Sequence, residues 1–268
     1  MHTSGLAIDA RELPAKEIGA AIERLAGEGV RRIGVCGGDG TIAIGASLAS
    51  KLSIELAVIP GGTLNHLAKD LGIPDELDAA LRLALAGEAR SVDAGSVNGH
   101  LFLNTSSVGT YVTFVRMRER LERFLGYRLA SLIAGIRLLI RPRIFTVEVE
   151  VEGKMRSDVT PLVFIGIGER ELKLPTLGGR AKDGRRGLHV MIVRGRSPAR
   201  IAALALAAAA RGTRSAARTP ALDAFVVKQV TIRMPRPHGY VATDGELHAM
   251  TTPLVYRWMP EAVKVVRP

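Results

Sequence analysis

The chain of 268 residues holds one cysteine, one tryptophan and only 4% aromatic residues, and none of its apolar runs reaches the ~20 residues of a membrane-spanning helix. A single cysteine excludes an internal disulfide. Cys36 lies in a β-prone run, where a small buried residue is expected rather than a catalytic thiol. The best apolar candidate, Ile201 to Ala210 between Arg200 and Arg211, is expected to be a packed helix. Few aromatics and no recognised nucleic-acid motif argue against nucleic acid as the partner of a chain with net charge +11. Met1-His2-Thr3-Ser4 lacks a basic region followed by a long apolar one, so a cytoplasmic protein is expected.

Of the residues present, 47% are hydrophobic and 24% charged, which suits a globular chain with a sizeable core. The positive charge is concentrated in the second half. Residues 116–143 carry eight arginines against Glu119 and Glu122, and residues 180–218 carry ten Lys or Arg against Asp183 alone. Leu121, Leu125, Leu129, Leu132, Ile136 and Leu139 recur at three- and four-residue spacing, so this stretch reads as an amphipathic helix interrupted near Gly126. Arginines bordering an apolar face suit an anionic bilayer surface; the alternative is a core-facing helix with a solvated arginine face.

Two glycine-rich turns stand where strand-like runs give way to helical ones. Arg32 to Cys36 leads into Gly37-Gly38-Asp39-Gly40-Thr41, and Leu56 to Ile59 leads into Pro60-Gly61-Gly62-Thr63-Leu64-Asn65. Glycines let backbone N–H groups close on a phosphate, and the helix start that follows favours an anion. Asp39 repels phosphate, so a Mg²⁺ ion, a ribose hydroxyl or an acceptor hydroxyl is its expected partner. One such turn is often plain turn chemistry. Two in succession point to a nucleotide site.

Up to about residue 95 strands and helices alternate: a strand over Leu6 to Asp9, a helix from about Ala15 to Gly27, two strand-loop-helix units and a short helix over Asp78 to Ala86. This implies a parallel sheet covered by helices, with ligand loops at the carboxyl ends of the strands. From there the pattern is β-rich, with runs at Leu101 to Asn104, Ile144 to Val151, Leu162 to Gly166, Leu188 to Val193, Ala224 to Met234 and Tyr240 to Ala242. Period-two alternation in Phe145 to Val151 is the mark of an antiparallel sheet with one wet face. The expected division is 1–95 for a nucleotide-binding α/β domain and 96–254 for a β-rich domain. The tail from about 255 to 268 packs back onto the first.

Taken with Gly72-Ile73-Pro74, Val92-Asp93-Ala94-Gly95, Thr243-Asp244-Gly245-Glu246 and the closing Pro260 to Pro268, the two loops resemble the catalytic domain shared by diacylglycerol, sphingosine and ceramide kinases and bacterial lipid kinases. NAD kinases share the first glycine motif and a related architecture; Thr63-Leu64-Asn65 and the late Asp-Gly-Glu favour the lipid-kinase branch. The resemblance implies an NAD-kinase-like α/β domain, an antiparallel β-sandwich and a site in the cleft between them. ATP with Mg²⁺ is the implied co-substrate, and the hydroxyl of diacylglycerol or a related membrane lipid the implied acceptor. Gly37, Gly38, Asp39, Gly40 and Thr41 would hold the phosphates, and Gly62, Thr63 and Asn65 would complete the nucleotide pocket. Glu246 would be the general base, with Asp244 second, either as a base or as an anchor. The Asp244-Gly245 pair also reads simply as a hairpin turn.

Three departures accompany the resemblance. The usual opening strand and Asn-Pro-x-Ser/Ala-Gly loop, part of the triphosphate site, have no counterpart, and a reading frame starting upstream of Met1 is the expected reason. His66 stands where many relatives carry aspartate. The structural Mg²⁺ loop is represented only by Asp183, with Arg185 and Arg186 opposing a divalent ion. The alternatives to a lipid kinase are a catalytically impaired nucleotide- or lipid-binding homologue and an NAD-kinase-like small-molecule kinase. A lipid kinase would work at the inner face of the membrane, and a homodimer through an exposed sheet edge is a further expectation.

Overall fold

Strand β1 (Arg32–Gly37) and strand β2 (Glu55–Pro60) run parallel, with Ile33 beside Leu56 and Cys36 beside Ile59. Parallel neighbours need a crossover, and helix α2 (Asp39–Leu52) supplies it. The computed structural model describes residues 10–63, 65–140, 144–172, 177–181, 183–194 and 222–268. The expected strand over Leu6 to Asp9, residue Leu64 and the run from Ile201 to Ala210 lie outside them.

Helix α1 (Ala15–Gly27) packs beside α2, and two further helices follow β2: α3 (His66–Asp70) and α4 (Leu77–Ala86). Leu56 and Val58 meet Ile42 and Ala46 of α2, while Ala57 and Ile59 meet Ala84 of α4. A strand buried on both faces has no polar side to show, which is why β2 reads as an unbroken apolar run. Strand β1 differs. Ile33 and Val35 are buried, but Gly34 and Cys36 are exposed, so the expectation of a buried Cys36 is corrected. Helices cover only one face of β1.

The rest of the chain is β3 (Ala89–Val97), β4 (His100–Phe102), β5 (Thr105–Gly109), the long helix α5 (Thr110–Ile140), β6 (Phe145–Val151), β7 (Lys154–Thr160), β8 (Leu162–Ile167), β9 (Arg170–Leu172), β10 (Leu177–Arg180), β11 (Leu188–Val193), β12 (Leu222–Val227), β13 (Gln229–Arg233), β14 (His238–Thr243), β15 (Glu246–Thr251) and β16 (Leu254–Val266). Strand β16 stitches the two halves together. Its first residues pair antiparallel with β13, Tyr256 beside Val230, and its last pair parallel with β2, Val265 beside Leu56. Strand β3 runs antiparallel along its other edge, so the sheet β1-β2-β16-β13-β6-β7, with β3 and β4 attached, is mixed rather than purely parallel.

A second, antiparallel sheet is ordered β12-β11-β8-β5-β14-β15. Val147, Val149, Ile232, Leu254 and Tyr256 of the first sheet pack against Ile165, Ile167, Leu188, Val190 and Val241 of the second, forming the interior of a β-sandwich. The run from Ala224 to Met234, expected as one strand, is two: β12 and β13 part at Lys228 to join different sheets. The architecture is thus an α/β unit continued through β16 into an antiparallel sandwich. Among the described residues no helix is long and apolar enough to cross a membrane.

Candidate active site

The two glycine turns lie side by side at the carboxyl ends of β1 and β2. Gly61 N–H donates to the Gly37 carbonyl at 2.9 Å, and a Cβ at Gly62 would come within 2.6 Å of the Gly38 Cα. Only glycine permits this backbone approach. Asn65 stands at the entry to α3 in a left-handed conformation (φ 50°), and its Oδ1 accepts from Gly62 N–H at 2.9 Å, closing the second turn on itself.

Asp39 joins the turns. Its two carboxylate oxygens accept from the backbone N–H groups of His66 (3.2 Å) and Leu67 (3.0 Å), the first residues of α3. Free N–H groups at a helix start are satisfied by such a carboxylate, which also suits the positive end of the helix dipole. Thr41 packs its side chain on Gly37, and Thr63 is exposed at the mouth of the second turn.

The late motif reaches the same place from the sandwich. Asp244 and Gly245 both have positive φ (48° and 91°) and form the two-residue turn joining β14 to β15. The turn delivers Glu246 onto the first turn of α2, where its carboxylate covers Gly40 so closely that a Cβ there would overlap it. Two stretches some two hundred residues apart thus share one cleft: a carboxylate beside two loops of backbone donors at a helix N-terminus.

Asp244 has a different task from its neighbour. It is half-buried, and its oxygens accept from Leu103 N–H (2.7 Å), Asn104 N–H (2.8 Å) and Thr105 N–H (2.9 Å). Burial pushes its carboxyl above the usual range, while the three backbone donors and Arg170 pull against it. It fastens the β4–β5 turn to the hairpin that carries Glu246.

Sequence reasoning missed Arg170. This buried guanidinium pairs with Asp70 at the end of α3 (3.0 Å) and donates to the Asn104 carbonyl (2.9 Å) and the Ile167 carbonyl (3.2 Å), bridging the second glycine turn and the sandwich. Its backbone N–H donates to Nδ1 of buried His189 at 2.9 Å. Burial lowers the Arg170 pKa, and Asp70 and Asp244 oppose the shift. A second bridge joins β3 to the loop before β11: Arg186 grips Asp93 through two hydrogen bonds (3.0 and 2.6 Å), beside Glu261 and the Trp258 ring. Burial raises the Asp93 carboxyl, but Arg186 and Glu261 N–H outweigh it and hold the pKa low.

Asp183 takes no part in the cleft contacts. It is exposed in the turn between β10 and β11, where Arg185 is held by Glu169 and Arg186 by Asp93. Among the described residues no group of three or more His, Cys, Asp or Glu side chains could hold a metal ion.

Residues 1–97 match the family model of the diacylglycerol kinase catalytic domain. The chain is 37% identical over 124 residues to a diacylglycerol kinase of Bacillus subtilis, a stretch covering 44% of this chain and 40% of that protein. It is 43% identical over 104 residues to a probable lipid kinase YegS-like protein of Pseudomonas aeruginosa, covering 37% and 33%. The matched stretches thus span well under half the length of these curated relatives. A crystal structure of a diacylglycerol kinase from Bacillus anthracis superposes with a TM-score of 0.66 at 19% identity, covering 96% of this chain and 83% of that one, a likeness of fold.

Proposed function

We propose, for a chain that belongs through residues 1–97 to the diacylglycerol kinase catalytic-domain family, that it transfers the γ-phosphate of ATP to a hydroxyl of diacylglycerol or a related lipid. The observation that carries this reading is the seat of Glu246 over Gly40, which puts a carboxylate from the sandwich at the mouth of the paired glycine turns. Phosphoryl transfer needs little covalent help from a protein; it needs positioned reactants and stabilised charge. The backbone N–H groups of Gly37 to Thr41 and the N-terminus of α2 would meet the phosphates. Gly62, Thr63 and Asn65 would close the other side. Glu246 would take the proton of the acceptor hydroxyl as its oxygen attacks the γ-phosphorus and ADP leaves, a role worth roughly 10² to 10⁴ in rate.

Asp244 acts as a positioning residue in this scheme, because its oxygens are already engaged by the β4–β5 turn. Mg²⁺ would arrive with ATP as part of the co-substrate. Transfer of labelled phosphate from ATP into a mixed lipid extract, separated by chromatography, tests the reading: lipid-borne label is expected, and nucleotide binding without any labelled lipid would instead favour a binding protein on the same fold.

A further inference from the structure

The long helix α5 leaves the cleft with one face against the protein and another facing outward. Burial raises the pKa of Tyr111 in its first turn, Arg118 opposes the rise, and the charges of Tyr127 and Asp39 add to it. Arg116 stacks on Tyr240 of β14. At Gly126 the backbone departs from helical geometry (φ 70°, ψ 164°), and a second helical segment continues to Ile140.

That second segment is amphipathic in the reverse of the usual sense. At about 100° per residue, Leu129, Leu132, Ile133, Ile136 and Ile140 fall within one arc of about 100°. All five are exposed, by 38% to 64%. Ala130, Ala134 and Leu138, the buried residues, lie on the opposite side. Arg128 and Arg137 flank the exposed arc, one on each side, and both are exposed. Between Tyr127 and Ile140 there is no acidic residue. A contiguous apolar face outside the core marks a surface that meets something else.

We propose that this face of α5 docks on an anionic bilayer, with Leu132, Ile136 and Ile140 entering the headgroup boundary and Arg128 and Arg137 meeting lipid phosphates. Charge complementarity selects this occupant. A second copy of the helix would set arginine rims against arginine rims, whereas anionic headgroups neutralise them while the acyl boundary takes the leucines and isoleucines. The docking deepens the lipid-kinase reading and rests on it for its purpose: a helix that begins at the cleft and lies on the membrane holds the cleft close to its lipid acceptor.

The test is flotation of the full chain, without ATP, on phosphatidylcholine vesicles and on vesicles that also contain phosphatidylglycerol. Binding to the anionic vesicles is expected, weakened by salt. Leu132→Glu with Ile136→Glu should lower it at least tenfold, and Arg128→Gln and Arg137→Gln by roughly fivefold each. Both apolar positions are exposed, so thermal unfolding of the double variant should match the parent and show that the loss is not misfolding. Equal binding to both vesicle types, no binding, or an undiminished double variant would overturn the proposal. So would a concentration-dependent dimer abolished by the double variant in a chain that ignores vesicles. Phosphate transfer to detergent-dispersed diacylglycerol separates this from the kinase reading: the double variant should retain it, and its absence from every variant, with vesicle binding intact, would overturn the kinase reading alone.

Discussion

Arg170 and Asp70 stand a hundred residues apart in sequence and 3.0 Å apart in the folded chain, a buried ion pair joining the end of α3 to the sandwich. The same guanidinium holds the Asn104 carbonyl, whose N–H is held by Asp244, which in turn sets the hairpin bearing Glu246. The glycine turns and the late carboxylate are therefore registered through one chain of contacts.

Removing one partner of such a pair strands the other, so Arg170→Met should destabilise the fold by about 3–5 kcal/mol, read by urea unfolding. Arg170→Met combined with Asp70→Leu should recover much of that loss. A loss of similar size in both variants would show that the carbonyl contacts of Arg170, rather than its pairing with Asp70, dominate.

The turn-to-turn contact makes a second prediction. Gly62→Ala places a methyl 2.6 Å from the Gly38 Cα, and overpacking of this kind costs about 1–3 kcal/mol. Calorimetry should show a matching loss of stability and an ATP affinity at least tenfold weaker. Gly135→Ala is the contrast: nothing lies within 4 Å of the added carbon, so this helical position should gain about 0.5–1 kcal/mol.

Three histidines set the response to mild acid. Burial lowers the pKa of His189, His100 and His248 below the ordinary 6.5, with Glu169 opposing the shift at His189 and Glu246 opposing it at His248. The His100 and His248 rings lie 3.9 Å apart, so charging one disfavours the other. His189 Nδ1 must be unprotonated to accept from Arg170 N–H. A depressed native pKa contributes stability above the unfolded value, and that stability is lost as pH falls through the native pKa. Melting temperature should therefore decline as pH falls below about 6.5, and His189→Gln and His248→Asn should each flatten the decline. An unchanged slope would contradict the assignment.

Asp93 titrates lower. Held down by Arg186, it contributes stability above 3.8 that disappears as pH falls through its native pKa. Asp93→Asn should remove that part of the acid transition, seen as a shallower loss of melting temperature between pH 4 and the acid midpoint.

Much of this fold was legible wherever the information is local. Periodicity located α1, the break at Gly126 and the alternation in β6, and the two glycine turns sit where the strands end. Elsewhere the signal was not local. Cys36 reads as buried because β1 and β2 have similar compositions, and only the packing of helices on one face of β1 separates them. Strand β16 carries residues paired with two different sheet regions, a division its sequence does not mark. Arg170 looks like any other arginine in a basic chain, and only burial against Asp70 distinguishes it. Asp244 and Glu246 are two residues apart, yet one faces backbone donors and the other the cleft, a difference set by the turn between them.

The most direct test of the central claim is the turnover of Glu246→Gln, measured beside ATP binding with a dispersed diacylglycerol as acceptor. If Glu246 takes the hydroxyl proton, kcat should fall by about 10² to 10⁴ while ATP affinity and melting temperature stay near those of the parent. A variant that transfers phosphate at the parental rate would contradict the account.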